Sequence, residues 1–386
     1  MSRQNQGDEV KTMNPQRPSP RRHWATLFRK KSSADESRIQ EPLSFLTSKK
    51  LGKKAERSLE QLYKESENLD PWLHHKTKRL RKLQKDFAAD FSGHIYLTNF
   101  FGQEAPTPEG ATLKVIDEDN MPRSIEHSIV LFNNNNLINE HLREYVRLYQ
   151  NSPTSIFAIW DFDNHHWLEL SYTLAAFSDL YIPAHSENLA LFSRCNPAVT
   201  SPIHTAVIQW TREFLQENRY VIFEKPRSDQ PLGGHIKWDQ FPVRNRTLEK
   251  LSRFYPEVRA VSAAYHRESK LDRLAQWSSH KAHWVVPVLT DLPIRTFDAL
   301  ITGGIPIVPK ALRRNALIRS LEEHLFFYDA EDVENPTVIT EAANRRFDEL
   351  GTDGIQRRHE IALTHHHLEN RLESIFSALY EEFHIG

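Results

Sequence analysis

Val285-Val286-Pro287-Val288-Leu289-Thr290-Asp291-Leu292-Pro293-Ile294-Arg295-Thr296-Phe297-Asp298-Ala299-Leu300-Ile301-Thr302-Gly303-Gly304-Ile305-Pro306-Ile307-Val308-Pro309 is the stretch that decides the fold class of this chain. It reads as an apolar strand, a loop, a helix from about Pro293, a Gly-Gly stop and a second apolar strand. Pro293 suits a first helical turn, and Gly303 or Gly304 suits the left-handed position that ends a helix. The helix start and the loop before it present free backbone N–H groups and the positive end of a dipole. Arg295 in that first turn is a fitting partner for a diphosphate. Asp298, one turn further on, can accept hydrogen bonds from ribose or sugar hydroxyls.

The same texture extends on both sides. The spacing predicts strands at His94–Thr98, Ser128–Asn133, Ser155–Asp161, Asp179–Pro183, Tyr220–Glu224, Val258–Ser262, His283–Val288, Ile305–Val308 and Leu325–Tyr328. Amphipathic stretches fall between them, and a last helical stretch from Asp353 to Phe383 offers Leu368, Leu372, Ile375, Phe376 and Leu379 as a buried stripe. Alternating strands and helices imply an α/β fold with parallel sheets covered by helices. The expected organisation is a basic tail over 1–48 and a basic helical segment over 49–90. Two Rossmann-like βα domains follow, over 91–217 and 218–386, facing a cleft.

Composition narrows the function classes. The chain has 386 residues, one cysteine (Cys195) and 12 glycines. A lone cysteine excludes an intrachain disulfide and a cysteine-based zinc site. No apolar run approaches the ~20 residues of a membrane span, and no secretory leader is visible. A cytoplasmic setting follows as an expectation. With no GxGxxG and no GxxxxGK[ST], the dinucleotide and P-loop fingerprints are missing. GxSxG is missing too, which argues against an α/β-hydrolase. The formal net charge of −1 conceals a division: residues 1–90 carry 21 Lys and Arg against 12 Asp and Glu, and the remaining 296 carry 29 against 39.

The second informative stretch is Trp160-Asp161-Phe162-Asp163-Asn164-His165-His166-Trp167, directly after an apolar strand. Asp161 and Asp163 form an Asp-x-Asp whose hard oxygens suit Mg²⁺ or Mn²⁺. Alternatively Asp161, Asp163, His165 or His166 is a general base at a cleft. Asp163 or Asn164 also suits the cap of a helix beginning near Trp167. His185, at another strand–helix junction, and His204, after Pro202, either line the same cleft or serve as a cap or a packed core histidine. Gly233-Gly234, followed by Arg244 and Arg246, reads as a loop that approaches a phosphate closely. His365-His366-His367 falls in the predicted C-terminal helix, where three consecutive residues cannot face one way.

The pattern Arg295-x-Phe297-Asp298-Ala299-Leu300-x-x-Gly303-Gly304-Ile305-Pro306-Ile307-Val308 resembles the donor-binding segment of GT-B glycosyltransferases, most closely the CgeB-type and exostosin-like branches. It departs from the family in having Asp298 where Glu is usual. The position of the frequent second acid, eight residues earlier, is Thr290, with Asp291 beside it. The resemblance implies a nucleotide-sugar donor on the C-terminal domain near Gly233, Gly234, Arg244, Arg295 and Asp298, with Asp298 on the ribose. It implies a glycan or lipid-linked acceptor served by Asp161, Asp163, His165 and His166, as in surface polysaccharide synthesis. No bound metal and no cofactor is required. Two other readings stand beside it. One is a metal-dependent GT-A-like transferase using Asp161 and Asp163; the other is a non-catalytic sugar-nucleotide-binding protein on a degenerate transferase fold.

The basic arm interleaves Trp24, Leu27 and Phe28 with Arg21, Arg22, Arg29, Lys30 and Lys31. Bases with a short apolar stripe suit an anionic membrane surface. Lys76 to Lys85 adds six bases but no base-reading motif, so no nucleic-acid partner is expected. Deleting residues 1–48 is expected to lower the membrane-bound fraction in a flotation assay. An unchanged fraction would remove that segment as an anchor.

Overall fold

The computed structural model describes residues 70–101, 105–138, 140–236, 238–261, 268–289 and 291–385. The expected tail over 1–48, the first part of the basic helical segment and Thr290 lie outside them. The fold is α/β, with every paired strand parallel.

Helix α1 (Asp70–Asp90) leads into strands β1 (His94–Thr98), β2 (Thr112–Ile116), β3 (Ile129–Asn133), β4 (Ile156–Asp161) and β5 (Leu180–Pro183). Helices α2 (Glu140–Asn151) and α3 (Leu168–Ala176) connect β3 to β4 and β4 to β5. The sheet order is β2-β1-β3-β4-β5. Successive side chains of a strand face opposite ways, and here they enter two different cores. Val130, Phe132, Phe157, Ile159 and Tyr181 pack under α2 and α3. Ile129, Leu131, Ile156, Ala158, Leu180 and Ile182 pack on the other face with Leu80, Leu83 and Phe87 of α1. Burial on both faces explains why these strands read as continuous apolar runs.

The short helices α4 (Leu189–Phe192), α5 (Arg212–Glu217) and α6 (Arg219–Phe223) lead to the second half. There β6 (Gly233–Ile236), α7 (Pro242–Leu251), β7 (Val258–Val261), α8 (Lys270–Ser278), β8 (Ala282–Trp284), α9 (Ile294–Ile301) and β9 (Ile305–Pro309) follow. α10 (Ala316–Ser320), β10 (Phe326–Tyr328), α11 (Ala330–Glu334), α12 (Pro336–His365) and α13 (Leu368–Phe383) complete the chain. β6 pairs with β7, and β8 with β9 and β10. Leu232 N donates to Ala282 O and Trp284 N to Leu232 O, so a parallel bridge joins the two sheets at the start of β6. The resulting order, β7-β6-β8-β9-β10, repeats the topology of the first sheet.

Three expectations are corrected here. Tyr220–Glu224 is not a strand: Arg219–Phe223 is helical, with Arg219 over the Phe223 ring at 4.5 Å and Val221 and Ile222 buried. A four-residue apolar run cannot separate strand from helix by periodicity. Gly233-Gly234 is not a loop but the start of β6, paired in register with Val258 and Arg259. A Cβ on Gly233 would lie 2.9 Å from Val258 and 3.1 Å from the Trp284 carbonyl, so glycine here permits close strand packing. The histidine triplet likewise lies at a helix break. α12 ends at His365, and His367 precedes α13.

α13 returns to the first half, where Leu372, Ile375, Phe376, Leu379 and Phe383 cover the same sheet face as α1. The Gly-Gly stop behaves as its sequence implies. Gly303 has φ +75°, and a Cβ on Gly304 would lie 2.3 Å from His283 Nε2. No helix among the described residues is long and apolar enough to cross a membrane.

The six bases of α1 divide between inside and outside. Lys78, Arg81, Lys82 and Lys85 are exposed. Arg79 turns inward and grips Asp179 with two hydrogen bonds of 2.7 and 2.9 Å, and Lys76 donates to Tyr149 Oη and the Ala176 carbonyl. Burial lowers the Lys76 pKa to about 7. Burial also pushes Asp179 up, but Arg79 and Lys76 outweigh it and hold the carboxyl below its ordinary range. A depressed carboxyl pKa stabilises the fold above about pH 4, and that contribution is lost as pH falls through the folded value. Asp179→Ala strands two buried cations and is expected to cost about 3–5 kcal/mol in urea unfolding. A loss below about 1 kcal/mol would show that the pair contributes little.

Candidate functional site

In a parallel sheet every strand ends at the same edge, and ligands of open α/β folds bind there. β4 ends at Asp161, and the loop 162–167 carries the acids and histidines singled out in the sequence. Asp161 is fully buried. Its Oδ1 accepts the Asp163 N–H (2.8 Å) and its Oδ2 accepts the Tyr181 hydroxyl (2.6 Å). Burial raises its pKa to about 6. Asp163, in the loop beyond the strand, keeps 21 % of its side chain exposed. Its Oδ2 accepts from Asn134 Nδ2 at 2.7 Å, and His166 Nε2 lies 3.8 Å from its Oδ1. Burial raises the Asp163 pKa, and Asp291 adds to the rise.

Neither Asp163 nor Asn164 caps α3, because Trp167 holds that position without a side-chain bond. Instead the Asn164 side chain donates to the His185 and Glu187 carbonyls and accepts the His185 N–H. It thereby ties the ends of β4 and β5 together. His165 packs between His166 and His185, with ring centroids 4.3 and 4.4 Å apart. Burial, with His185 and His166 adding to it, drives its pKa far below the ordinary histidine value, so the ring is neutral. His204 is bonded to the Ala184 carbonyl and meets Asn315 at 3.3 Å.

The matching edge of the second sheet is basic. Arg244, from α7, donates to the Val286 and Ile236 carbonyls beyond β8 and at the end of β6. Arg295, in the first turn of α9, donates to Gly234 O at 2.8 Å. His235 accepts the Val286 N–H, and its pKa is pushed well down by burial and then by the fields of Arg295 and Arg244. Asp291 ends the preceding loop, accepting the N–H groups of Val288 and Leu289.

The two edges meet. His165 Nε2 lies 3.8 Å from Asp291 Oδ1. The His166 ring meets Phe241 at 5.6 Å and Trp167 meets Trp238 at 6.5 Å. The structure therefore brings Asp163, His165 and His166 to the edge where Arg244 of α7, Arg295 of α9 and Asp291 lie. It does not bring Asp161, which faces the interior. Sequence reasoning missed Asn134, which orients Asp163, and Trp238 and Phe241. The run Asn133-Asn134-Asn135-Asn136 at the end of β3 was the signal available for the first of these.

Asp298 sits one turn into α9, fully buried, with Gln209 donating to its Oδ2. Its Oδ1 is buried without a hydrogen-bond partner. Gln209 in turn accepts from Arg273 at 2.6 Å. Burial raises the Asp298 pKa to about 7. Among the described residues, no group of three or more His, Cys, Asp or Glu side chains is arranged to hold a metal ion. No protein-family model matches this chain, and no curated protein matches it.

A carboxyl whose folded pKa lies above its unfolded value stabilises the fold at low pH. That stability drains away between about pH 4 and the folded pKa. Asp298→Asn is therefore expected to raise stability at pH 8 by about 2–4 kcal/mol and to change it little at pH 4. Thermal unfolding at both pH values reads this. Equal effects at the two would contradict the burial of an ionising carboxyl.

Proposed function

We propose that this protein is a nucleotide-sugar-dependent glycosyltransferase of GT-B type. The observation that carries the reading is the pairing of two sheet edges of opposite chemistry. A carboxylate with an adjacent histidine, Asp163 and His166, opposes two arginines, Arg244 of α7 and Arg295 at the start of α9. The donor diphosphate lies against Arg295, Arg244 and the N-terminus of α9, where guanidinium and helix dipole favour negative charge. The ribose reaches Asp298, whose unpartnered oxygen and stability cost suit a site kept for binding. Contact with that oxygen requires the segment around Gln209 to shift as donor binds.

The acceptor hydroxyl enters beside loop 162–167 and loses its proton to Asp163 as it attacks the anomeric carbon. The bond from that carbon to the diphosphate oxygen breaks, and the leaving charge falls on the arginines. Asn134 holds the base in place, and closure of the two edges excludes water, favouring transfer over hydrolysis. A metal-dependent reading through Asp-x-Asp finds less support, since both oxygens of Asp161 already accept hydrogen bonds inside the fold. The acceptor is a glycan or lipid-linked glycan, the setting is cytoplasmic, and the basic arm is the element suited to hold the enzyme at a membrane.

Isothermal titration against UDP- and GDP-sugars, followed by turnover assays, tests this. Asp163→Asn is expected to lower kcat about 10²–10⁴-fold while sparing donor affinity. Arg295→Ala is expected to weaken donor binding at least about tenfold. A base must be deprotonated to act. The raised Asp163 pKa therefore places the acid limb of kcat/KM above the ordinary carboxylate range near pH 4. Wild-type turnover by Asp163→Asn would remove the assigned base. Donor binding without turnover would instead make the protein a sugar-nucleotide-binding module.

A further inference from the structure

The opposite edge of the second sheet, where β8 and β9 begin, holds buried positive charge that the proposed reaction does not use. Arg358 of α12 is fully buried, and its Nε donates to the Gly303 carbonyl at 2.9 Å. Its Nη1 and Nη2 are buried and have no hydrogen-bond partner. Arg227, just before β6, is the second cation. Its Nη atoms donate to the carbonyls of His280, Ile222 and Thr302. Both guanidinium groups lie 5.2 Å from the centre of the Phe347 ring. Neither arginine forms an ion pair with a carboxylate among the described residues, and His283 in the same region has both ring nitrogens buried without partners.

The carbonyls of Ile222, His280, Thr302 and Gly303 accept four hydrogen bonds from the two groups, and Arg227 Nε has no partner. The carbonyls offer only partial negative charge, and two donors of Arg358 remain unmet. A buried guanidinium without a counter-ion is costly, and an anion accepting from both Nη atoms removes that cost. Glycines border the two groups: a Cβ on Gly303 would lie 3.3 Å from Arg227 Nη2, and one on Gly354 would lie 3.2 Å from Arg358 Nη1. The side chains of Ile355 and Leu350 pack against these two glycines beside the guanidinium groups. We propose that Arg358 and Arg227 form a structural binding site for a small inorganic anion of the halide or phosphate class. The site is separate from the diphosphate-binding edge and independent of the transferase reading.

The test compares thermal unfolding of the full chain in chloride, phosphate and gluconate at equal ionic strength. Chloride or phosphate is expected to raise the midpoint by about 3 °C or more over gluconate, with saturation. Arg358→Met removes the charge at similar volume and is expected to abolish that difference. Arg358→Lys, which keeps the charge but loses the paired Nη donors, is expected to shift the saturation to higher concentration. If Arg358→Met does not fold, Arg358→Lys and bromide-soaked crystals still decide. An anomalous bromide peak at Arg358 Nη supports the site. Equal midpoints in all three salts, retained anion dependence in Arg358→Met, or crystals without such a peak would overturn it.

Discussion

All strands of both sheets run parallel, so each sheet gathers its strand-ending loops at one edge, and the molecule sets these two edges against each other. That constraint places every residue of interest. Asp163 and His166 leave the end of β4, Arg244 reaches the ends of β6 and β8, and Arg295 opens α9. Asp163 and His166 are neighbours in sequence, and Arg244 and Arg295 are far from them and from each other. The contact from His165 to Asp291 joins a loop after β4 in the first sheet to the loop before α9 in the second, and the two sheets repeat one strand order.

Burial then sorts groups that look alike in sequence. Asp161 and Asp163 are two residues apart, but β4 ends at Asp161 and Asp163 lies in the loop beyond it, where it is no longer enclosed by the sheet. One is satisfied internally by Tyr181 and the Asp163 amide; the other stays at the edge, held by Asn134. The arginines divide the same way. Arg244 and Arg295 end at the edge that faces the first sheet, while Arg227 and Arg358 are enclosed at the far edge against Phe347. Asp298 combines the two conditions. It lies in the helix that opens the basic edge, yet its carboxyl is packed against Gln209 and pushed toward neutrality.

The fold class was legible from sequence because buried parallel strands leave continuous apolar runs, as in Ile129–Asn133 and Ile156–Asp161. The Gly-Gly stop was legible because Gly303 needs a positive φ. β6 was not, since its glycines look like a turn and are required instead by the approach of Val258 and Trp284. The helix at Arg219–Phe223 was misread because its four apolar residues fit either period. Among the candidate residues, Asp163, His165, His166, Arg244 and Arg295 stand out in sequence by type and by their place near strand and helix ends. Asn134 and the Arg358 pair were not, since orienting amides and long-range buried charges leave no local pattern.

The account's central claim is that one ligand lies between the two facing edges. Hydrogen–deuterium exchange with and without a UDP- or GDP-sugar tests it most directly. The account predicts that donor slows exchange in both loop 162–167 and the segment 286–295, which are adjacent only in the folded chain. Protection confined to one half, or none in either loop with any donor, would contradict it.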